Sequence, residues 1–406
     1  MDRISQLSDD LLIEILSLVP TKDAVAVSTL SKRWMSLWTL VPRLIFYDYF
    51  DEDDEYYYYS SEYFDHKEKH AKRLSRFVSG TLLLHKAAAL ESFYLKSATE
   101  CSPSEVGLWV RIAVERFVRD LKIIFYGHHG LVHLPSNFFR CETLETLVLD
   151  RLIVSEVPCR CSFGSLKKLQ LLSLKYSDDE SFSRLTSSCP VLEDLVVETC
   201  LSDNVVTFTV NVPSLQSLFV RTQSTWQINI PDYHLFVIHS YSMNQLKVAG
   251  YRGKFDVIGD MPKFVKANFQ SVCRHDKAVE SSCFVKPLCV FDEEVVSLEI
   301  CTHEYKSTMV VNAFQHSTKL QVLKLVYKPL CVLPRYVPEC LLHHLKTFEW
   351  RDYEGTKYEK EVAIYILNNA RRLVTATIYP LARKHCVFEE LEIASRGSRA
   401  CDLTMG

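Results

Sequence analysis

A short apolar unit repeated along most of the chain restricts the possible folds more than any other feature. The unit is Leu-x-x-Leu-x-Leu with conservative replacements, and clear copies begin at Leu144, Leu166, Leu192 and Leu215. Neighbouring copies start 22 to 26 residues apart, which is the spacing of leucine-rich repeats. Each copy predicts a short strand with alternate apolar residues pointing inward, and stacked copies bury a continuous core behind a parallel sheet.

Further copies extend this pattern in both directions along the chain. They begin at Leu90, Val118, Met243, Phe264, Val295 and Leu320. One copy alone is weak support, because any buried strand produces such a pattern. Their recurrence predicts an α/β fold, a curved leucine-rich-repeat solenoid with helical or irregular returns between strands. A solenoid of this kind offers a binding surface to another protein and not a catalytic pocket.

Length and charge narrow the functional classes. A chain of 406 residues predicts two or three domains. The net charge of -3, with basic residues spread along the chain, gives no electrostatic reason to expect a nucleic-acid partner. Glycine is scarce at 11 residues, and no phosphate-binding or dinucleotide motif occurs. We therefore expect no cofactor.

No apolar run approaches the roughly 18 residues of a spanning helix, so we expect no membrane association. Asp9, Asp10 and Glu14 interrupt the apolar N-terminus, which disfavours an export signal. We therefore expect a nuclear or cytoplasmic protein whose 14 cysteines are reduced. The nearest approach to a metal pattern is formed by Cys159, Cys161, His128, His129 and His133. No second ligand pair completes it, so we expect no metal and interpret the cysteines as small buried apolar residues.

Residues 1–43 predict three short helices with more apolar surface than they can cover themselves. Ser8 and Ser31 are suited to cap the first and third helices, and Thr21 or Asp23 to open the second. One stripe of the first helix consists of Leu12, Ile15, Leu16 and Val19, and a second stripe of Leu11 and Leu18. About forty residues bury too little surface to stand alone. The excess must be covered by the rest of the chain or by a partner.

Two runs within this segment, LSDDLLIEILSLVPTKD from Leu7 and LSKRWMSLW from Leu30, closely resemble the F-box of plant F-box proteins. The resemblance implies docking on a Skp-type adaptor, which links to a cullin scaffold and its RING subunit. It assigns adaptor contacts to Leu7, Leu12, Ile15, Leu16, Pro20, Val25, Leu30 and Trp34. The family usually has proline after the first leucine, where this chain has Ser8, so we expect weakened but not abolished docking.

The C-terminal segment has its own signature. The run VPECLL from Val337, the later Phe-Glu-Trp at 348–350 and the run RGSR from Arg396 resemble the FBD domain of plant F-box proteins. The residues predict a helix beginning near Glu359, with Val362, Ile366, Leu367 and Ala370 on one face and Asn368 and Asn369 at its end. Returning strands are predicted over 373–378 and 388–393. We assign the FBD segment no separate activity.

Together these patterns divide the chain into four parts. They are the F-box (1–43), an acidic and tyrosine-rich linker with solenoid entry (44–80), the solenoid (81–327) and the FBD segment (328–406). The resemblance implies a non-catalytic substrate receptor of a ubiquitin ligase, which holds an unidentified target protein on its repeats. Two alternatives stay open: a small-molecule receptor using the concave face of the repeats, and a binding scaffold outside any ligase.

Overall fold

The structure is a computed structural model. It describes residue 4 and residues 7–48, 61–98, 101–126, 130–154, 156–200, 204–222, 234–250, 254–258, 261–270, 295–301, 314, 317–326, 333–334, 336–381 and 391–406. The acidic and tyrosine-rich stretch at 51–59 and the two histidines at 128 and 129 lie outside the described residues. The chain divides into two compact units, one of residues 1–195 with 202–205 and the other of residues 196–201 with 206–406.

The helices alternate with many short strands. They are α1 (Asp9–Leu16), α2 (Thr21–Val27), α3 (Lys32–Leu37), α4 (Ser61–Leu84), α5 (Pro103–Glu115), α6 (Ser181–Ser187), α7 (Glu339–His343) and α8 (Lys357–Asn369). Short 3-10 turns occur at Trp38–Leu40 and Phe138–Arg140. Among the described helices, none combines the length and apolar character needed to cross a bilayer.

The strands of the N-terminal half are β1 (Arg43–Tyr47), β2 (Ser92–Ser97), β3 (Asp120–Phe125), β4 (Gly130–Val132), β5 (Thr146–Asp150), β6 (Leu152–Val154), β7 (Lys168–Leu172), β8 (Lys175–Tyr176) and β9 (Asp194–Thr199). Those of the C-terminal half are β10 (Thr207–Asn211), β11 (Ser217–Thr222), β12 (Leu235–His239), β13 (Gln245–Ala249), β14 (Lys254–Val257), β15 (Lys266–Gln270), β16 (Ser297–Cys301), β17 (Val322–Val326), β18 (Thr347–Tyr353), β19 (Thr375–Pro380) and β20 (Asp402–Met405).

In the first unit the strands pair in parallel in the order β1, β2, β3, β5, β7, and β4, β6 and β8 form a smaller parallel sheet. The register aligns equivalent apolar positions of successive repeats. One such row is Leu44, Phe93, Leu121, Leu147 and Leu169, and all five side chains are fully buried. Each repeat therefore contributes one layer of the core, as the Leu-x-x-Leu-x-Leu spacing predicts.

The second unit repeats this arrangement. Strands β11, β13, β15, β16, β17, β18, β19 and β20 pair in parallel, and β10, β12 and β14 form a second small sheet. Its main apolar row is Leu218, Leu246, Ala267, Leu298, Leu323, Phe348 and Ala376, all of them buried. The smaller sheet is held by stacked rings of Phe208 and Phe236 with centroids 4.8 Å apart. The predicted repeat fold is confirmed.

The linker predicted over 44–80 contains regular structure at both of its ends. Residues 43–47 form β1, which pairs with β2 and brings Leu44 and Phe46 into the core. The second half is occupied by most of α4, whose Val78 is buried. Sequence reasoning missed the first strand, because a single copy of the alternating pattern next to a helical segment carries little information.

The predicted C-terminal helix is present and extends from Lys357 to Asn369. Thr356 and Glu359 form a capping box, in which Thr356 Oγ1 accepts from Glu359 N and Thr356 N donates to the Glu359 carboxylate at 2.7 Å. Gly397 lies against the end of this helix and donates its N–H to Leu367 O at 2.9 Å. A side chain at Gly397 would place Cβ only 2.5 Å from Asn368 O, so the approach requires glycine.

One predicted strand in this segment is wrong. Residues 391–393 are helical, with Leu391 buried and Ile393 largely exposed, while 388 lies outside the described residues. The last strand is instead β20, which pairs with β19. Apolar residues spaced two apart suggested a strand, but helical and extended patterns are hard to distinguish over so few residues.

Candidate functional site

The three N-terminal helices form a small module with its own core. Ser8 caps α1 by accepting from Leu11 N, and Ser31 caps α3 by accepting from Trp34 N. The core consists of Leu12, Leu16, Ala24, Trp34, Leu37, Trp38 and Val41. With this core filled from one face of each helix, the apolar residues on the other faces are left outside.

The outward face of α1 and the turn after it are apolar. Leu11, Ile15 and Leu18 follow one another at the helical spacing of four and three residues and are all exposed, Leu18 to 70% of its surface. Leu30, which is 72% exposed and lies in the turn before α3, and Met35 on α3 add further apolar surface. We call these five residues the apolar docking face. Exposed Asp10 and Glu14 on α1 give it a charged border.

The structure separates the eight predicted adaptor contacts into three groups. Ile15 and Leu30 are exposed and belong to the docking face. Leu7, Pro20 and Val25 are half-buried, with Leu7 and Val25 packed against the core of the module.

The third group lies in the core of the module. Leu12 is 0% exposed, and Leu16 and Trp34 are also buried, so in this structure they hold the helices together and present almost no surface to a partner. A resemblance assigns positions to a motif but does not show which of two apolar faces the module itself covers.

Sequence reasoning left Leu11, Leu18 and Met35 out of the contact set, although all three are exposed. The signal for the first two was present, because Leu11 and Leu18 lie seven residues apart on a stripe separate from the core stripe. Met35 directly follows the buried Trp34 on α3, and neighbouring positions on a helix point about 100° apart.

An ion pair joins the beginnings of α1 and α3. The Arg33 guanidinium donates to Asp9 Oδ1 through Nη2 at 2.6 Å and through Nε at 2.8 Å, and Nη2 also donates to Leu7 O at 2.6 Å. Both side chains are partly exposed, so the pair adds little net stability. Its geometric effect is to fix the angle between two helices that carry the docking face.

Hydrogen bonds join the helical module to the first repeat. Ile45 N on β1 donates to Thr21 Oγ1 at 2.7 Å, and Lys86 N after α4 donates to Thr39 O at 2.7 Å. These contacts link the module to both a strand and a helix of the repeat. The docking face is therefore held in a defined orientation relative to the first strands.

The buried imidazole of His85 completes this junction. One ring nitrogen, Nε2, lies 2.8 Å from Val41 O, and Nδ1 lies 2.7 Å from Arg116 Nη1. Because arginine can only donate, Nδ1 accepts and Nε2 carries the proton that Val41 O accepts, which fixes a neutral tautomer. Burial, together with the nearby Arg116 charge, lowers the pKa of His85, while the Val41 hydrogen bond opposes that shift.

From the sequence we expect no metal site at Cys159, Cys161 and His133. Within the described part of the chain, no three potential ligands come together. Cys159 is exposed, Cys161 donates to Pro158 O at 2.8 Å, and burial raises the pKa of the Cys161 thiol. The cysteines that the structure describes are all free thiols.

A helical module with an exposed apolar face, joined to stacked parallel repeats, is an architecture typical of the adaptor class of proteins. Sequence models agree with this division. The F-box domain model matches residues 4–46, a model for the leucine-rich repeats of an FBD-associated F-box protein matches 106–247, and the FBD model matches 333–378.

Relatives match over the whole length. An F-box/FBD/LRR-repeat protein of Arabidopsis thaliana is 39% identical, covering 99% of this chain and 98% of its own. An FBD-associated F-box protein of the same plant is 34% identical, covering both chains completely. The chain therefore belongs to the plant family of F-box/FBD/leucine-rich-repeat proteins. Members are generally non-catalytic adaptors, and F-box domains generally bind Skp-type adaptors.

Proposed function

We propose that this protein is the substrate-recognition subunit of a ubiquitin ligase of the Skp–cullin–F-box type. In this proposal the F-box docks on a Skp-type adaptor, which connects it to the cullin and RING subunits, and the repeats hold a target protein. The observation that carries it is the apolar docking face, which remains exposed in the folded chain. An apolar centre with a charged border is the usual composition of a protein interface.

The mechanism is tethering. Bound to both the adaptor and a target, the chain raises the local concentration of target lysines near the charged ubiquitin carrier. The hydrogen bonds at Thr21, Thr39 and His85 support this role, because they restrain the F-box relative to the first repeat. Isopeptide formation itself is assigned to the other subunits, and the site of action to the nucleus or cytoplasm.

The small-molecule alternative receives less support from the strands of the second unit. It requires basic side chains free to bind a polar ligand. Lys324 and Arg351 both pair with Glu349, at 2.8 and 2.6 Å, and Arg221 pairs with Glu198 at 2.5 Å. These cations are already paired with neighbouring carboxylates. They are therefore better suited to stabilising the strands than to binding a ligand.

Adaptor binding is the direct test. The variant Ile15→Asp/Leu18→Asp places two charges on the docking face, whose apolar contacts drive binding, and we expect the affinity for a recombinant plant Skp-type adaptor to fall about 100-fold or more. Titration calorimetry measures the affinity. Because both residues are exposed, the melting temperature should change little.

The control variant is Leu108→Asp, which changes an exposed apolar residue on α5, outside the F-box. It should bind the adaptor as the unmodified chain does. Unchanged binding by the double variant would refute the docking face. Failure of the unmodified chain to bind any Skp-type adaptor would refute the ligase role and favour a scaffold outside a ligase.

A further inference from the structure

A cleft of about 660 Å³ lies in the first unit, where strands β3, β5 and β7 begin. Its lining comes from three segments that each precede one of these strands, residues 114–117, 136–143 and 158–160. Parallel strands begin at the same edge of a sheet, so stacking of the repeats brings these distant segments together. The cleft is partly open to solvent, and it does not involve the docking face.

Phe117 occupies one wall in a costly conformation. It follows the end of α5 with φ of 56°, and Val118 N donates back to Ala113 O at 3.2 Å, which is the hydrogen bond of a Schellman motif. Glycine usually occupies this position, because a side chain in left-handed backbone is unfavourable. The Phe117 ring is 62% exposed, so burial does not offset the cost. Strained residues cluster at functional sites, so the position of Phe117 marks this cleft as a candidate binding site.

Three polar side chains of the cleft are Asn137, Arg140 and Arg160. Asn137 Oδ1 is buried and accepts no hydrogen bond from any described residue. Arg140 and Arg160 are exposed, and neither forms an ion pair within the described residues. The lining thus offers two cations against the single carboxylate of Glu142. An occupant that matches it carries more than one negative charge.

Contacts of residues next to the lining hold the three segments together. The Phe138 ring packs edge-on against Phe139 and Phe163, at centroid distances of 5.1 and 5.4 Å. Thr143 Oγ1 donates to Val118 O at 3.0 Å, which ties the second segment to the first. Ser162 N donates to Phe139 O at 2.8 Å and ties the third segment to the second. Little ordering is needed on binding, which favours affinity.

We propose that this cleft binds an acidic peptide segment of a partner protein. Carboxylates of the segment pair with Arg140 and Arg160, and an apolar side chain packs on the Phe117 ring. An extended peptide suits a partly open cleft better than a small molecule, which needs most of its surface buried. The inference deepens the proposed function and rests on it, since the segment would belong to a target.

The probe is a phage-displayed library of random dodecapeptides, selected against the full chain bound to its adaptor. Enriched peptides should be rich in aspartate and glutamate around an aromatic or aliphatic residue. Fluorescence anisotropy then measures their affinity for the variant Arg140→Glu/Arg160→Glu. We expect a loss of about tenfold or more, because two charge-assisted contacts become repulsive. The matched control is Arg73→Glu/Arg76→Glu, an exposed pair on α4 with the same change in charge, which should bind within about twofold.

A second variant separates binding from folding. Phe117→Gly removes the ring from a position that glycine prefers, so it should weaken peptide binding while the melting temperature stays the same or rises. Peptides without acidic bias, or equal binding to the Arg140 and Arg160 variant, would overturn the peptide site. If adaptor binding is intact in every variant, such a failure concerns the cleft alone and leaves the ligase role standing.

Discussion

The F-box helices and the repeat strands use similar apolar residues for opposite purposes. In the repeats, Leu121, Leu147 and Leu169 align in one row and are fully buried by one another and by their neighbours. In the F-box, Leu12 is buried, while the adjacent Leu11 and the later Leu18 stay exposed. A stacked repeat covers its own apolar face with the next repeat, whereas a three-helix module has no next layer. Its uncovered surface is therefore available to a partner.

The sharpest test of this comparison places the same charge in both regions. Leu147→Asp puts a carboxylate into the core without a partner, and we expect it to cost about 4 kcal/mol or more of the free energy of unfolding. Leu11→Asp places the same group on exposed surface in the first turn of α1 and should change stability by only about 0.5 kcal/mol. Urea denaturation of both variants measures the difference. Similar losses would mean that the F-box face is covered in solution.

A smaller effect is expected within the F-box itself, where two neighbouring leucines have different roles. Leu12→Ala leaves a cavity and should lower stability by about 2–5 kcal/mol. Leu11→Ala removes exposed surface and should change stability by about 0.5 kcal/mol or less, while weakening adaptor binding. Thermal unfolding and adaptor titration of the two variants give both quantities. Strong loss of adaptor binding in a fully folded Leu12→Ala variant would show that Leu12 contributes to adaptor binding as well as to the core.

The smallest expected effect concerns the junction between the two regions and depends on pH. The folded protein holds His85 neutral with a lowered pKa, whereas an unfolded histidine takes up its proton near pH 6.5. The unfolded chain therefore binds the proton first as pH falls. The stability contribution is complete above about pH 6.5 and declines below it, by at most about 1.4 kcal/mol per pH unit.

Melting temperatures between about pH 7.5 and 5.5 test this, in the unmodified chain and in His85→Gln, which cannot titrate there. We expect the unmodified chain to lose more stability on acidification than the variant does. Parallel profiles would show that another group governs the pH dependence. They would also show that the stability of the junction does not depend on a neutral His85.

Much of the fold could be predicted because its signals are local. Alternating apolar residues at a fixed period predict strands, and Leu144, Leu166, Leu192 and Leu215 are all buried. Helix ends were also predictable from capping residues, as at Ser8 and Ser31. The strand predicted over 388–393 was wrong because three or four residues carry too little periodicity.

The amino-acid sequence by itself determined the repeat, the helices and the excess of apolar surface near the N-terminus, since each depends on residues close together along the chain. Only the tertiary structure decided which apolar face of α1 stays outside and where Trp34 packs. It alone brought Phe117, Asn137 and Arg160 to one cleft. The physical reason is that burial and the meeting of distant segments depend on how strands and helices stack, and no local pattern records this.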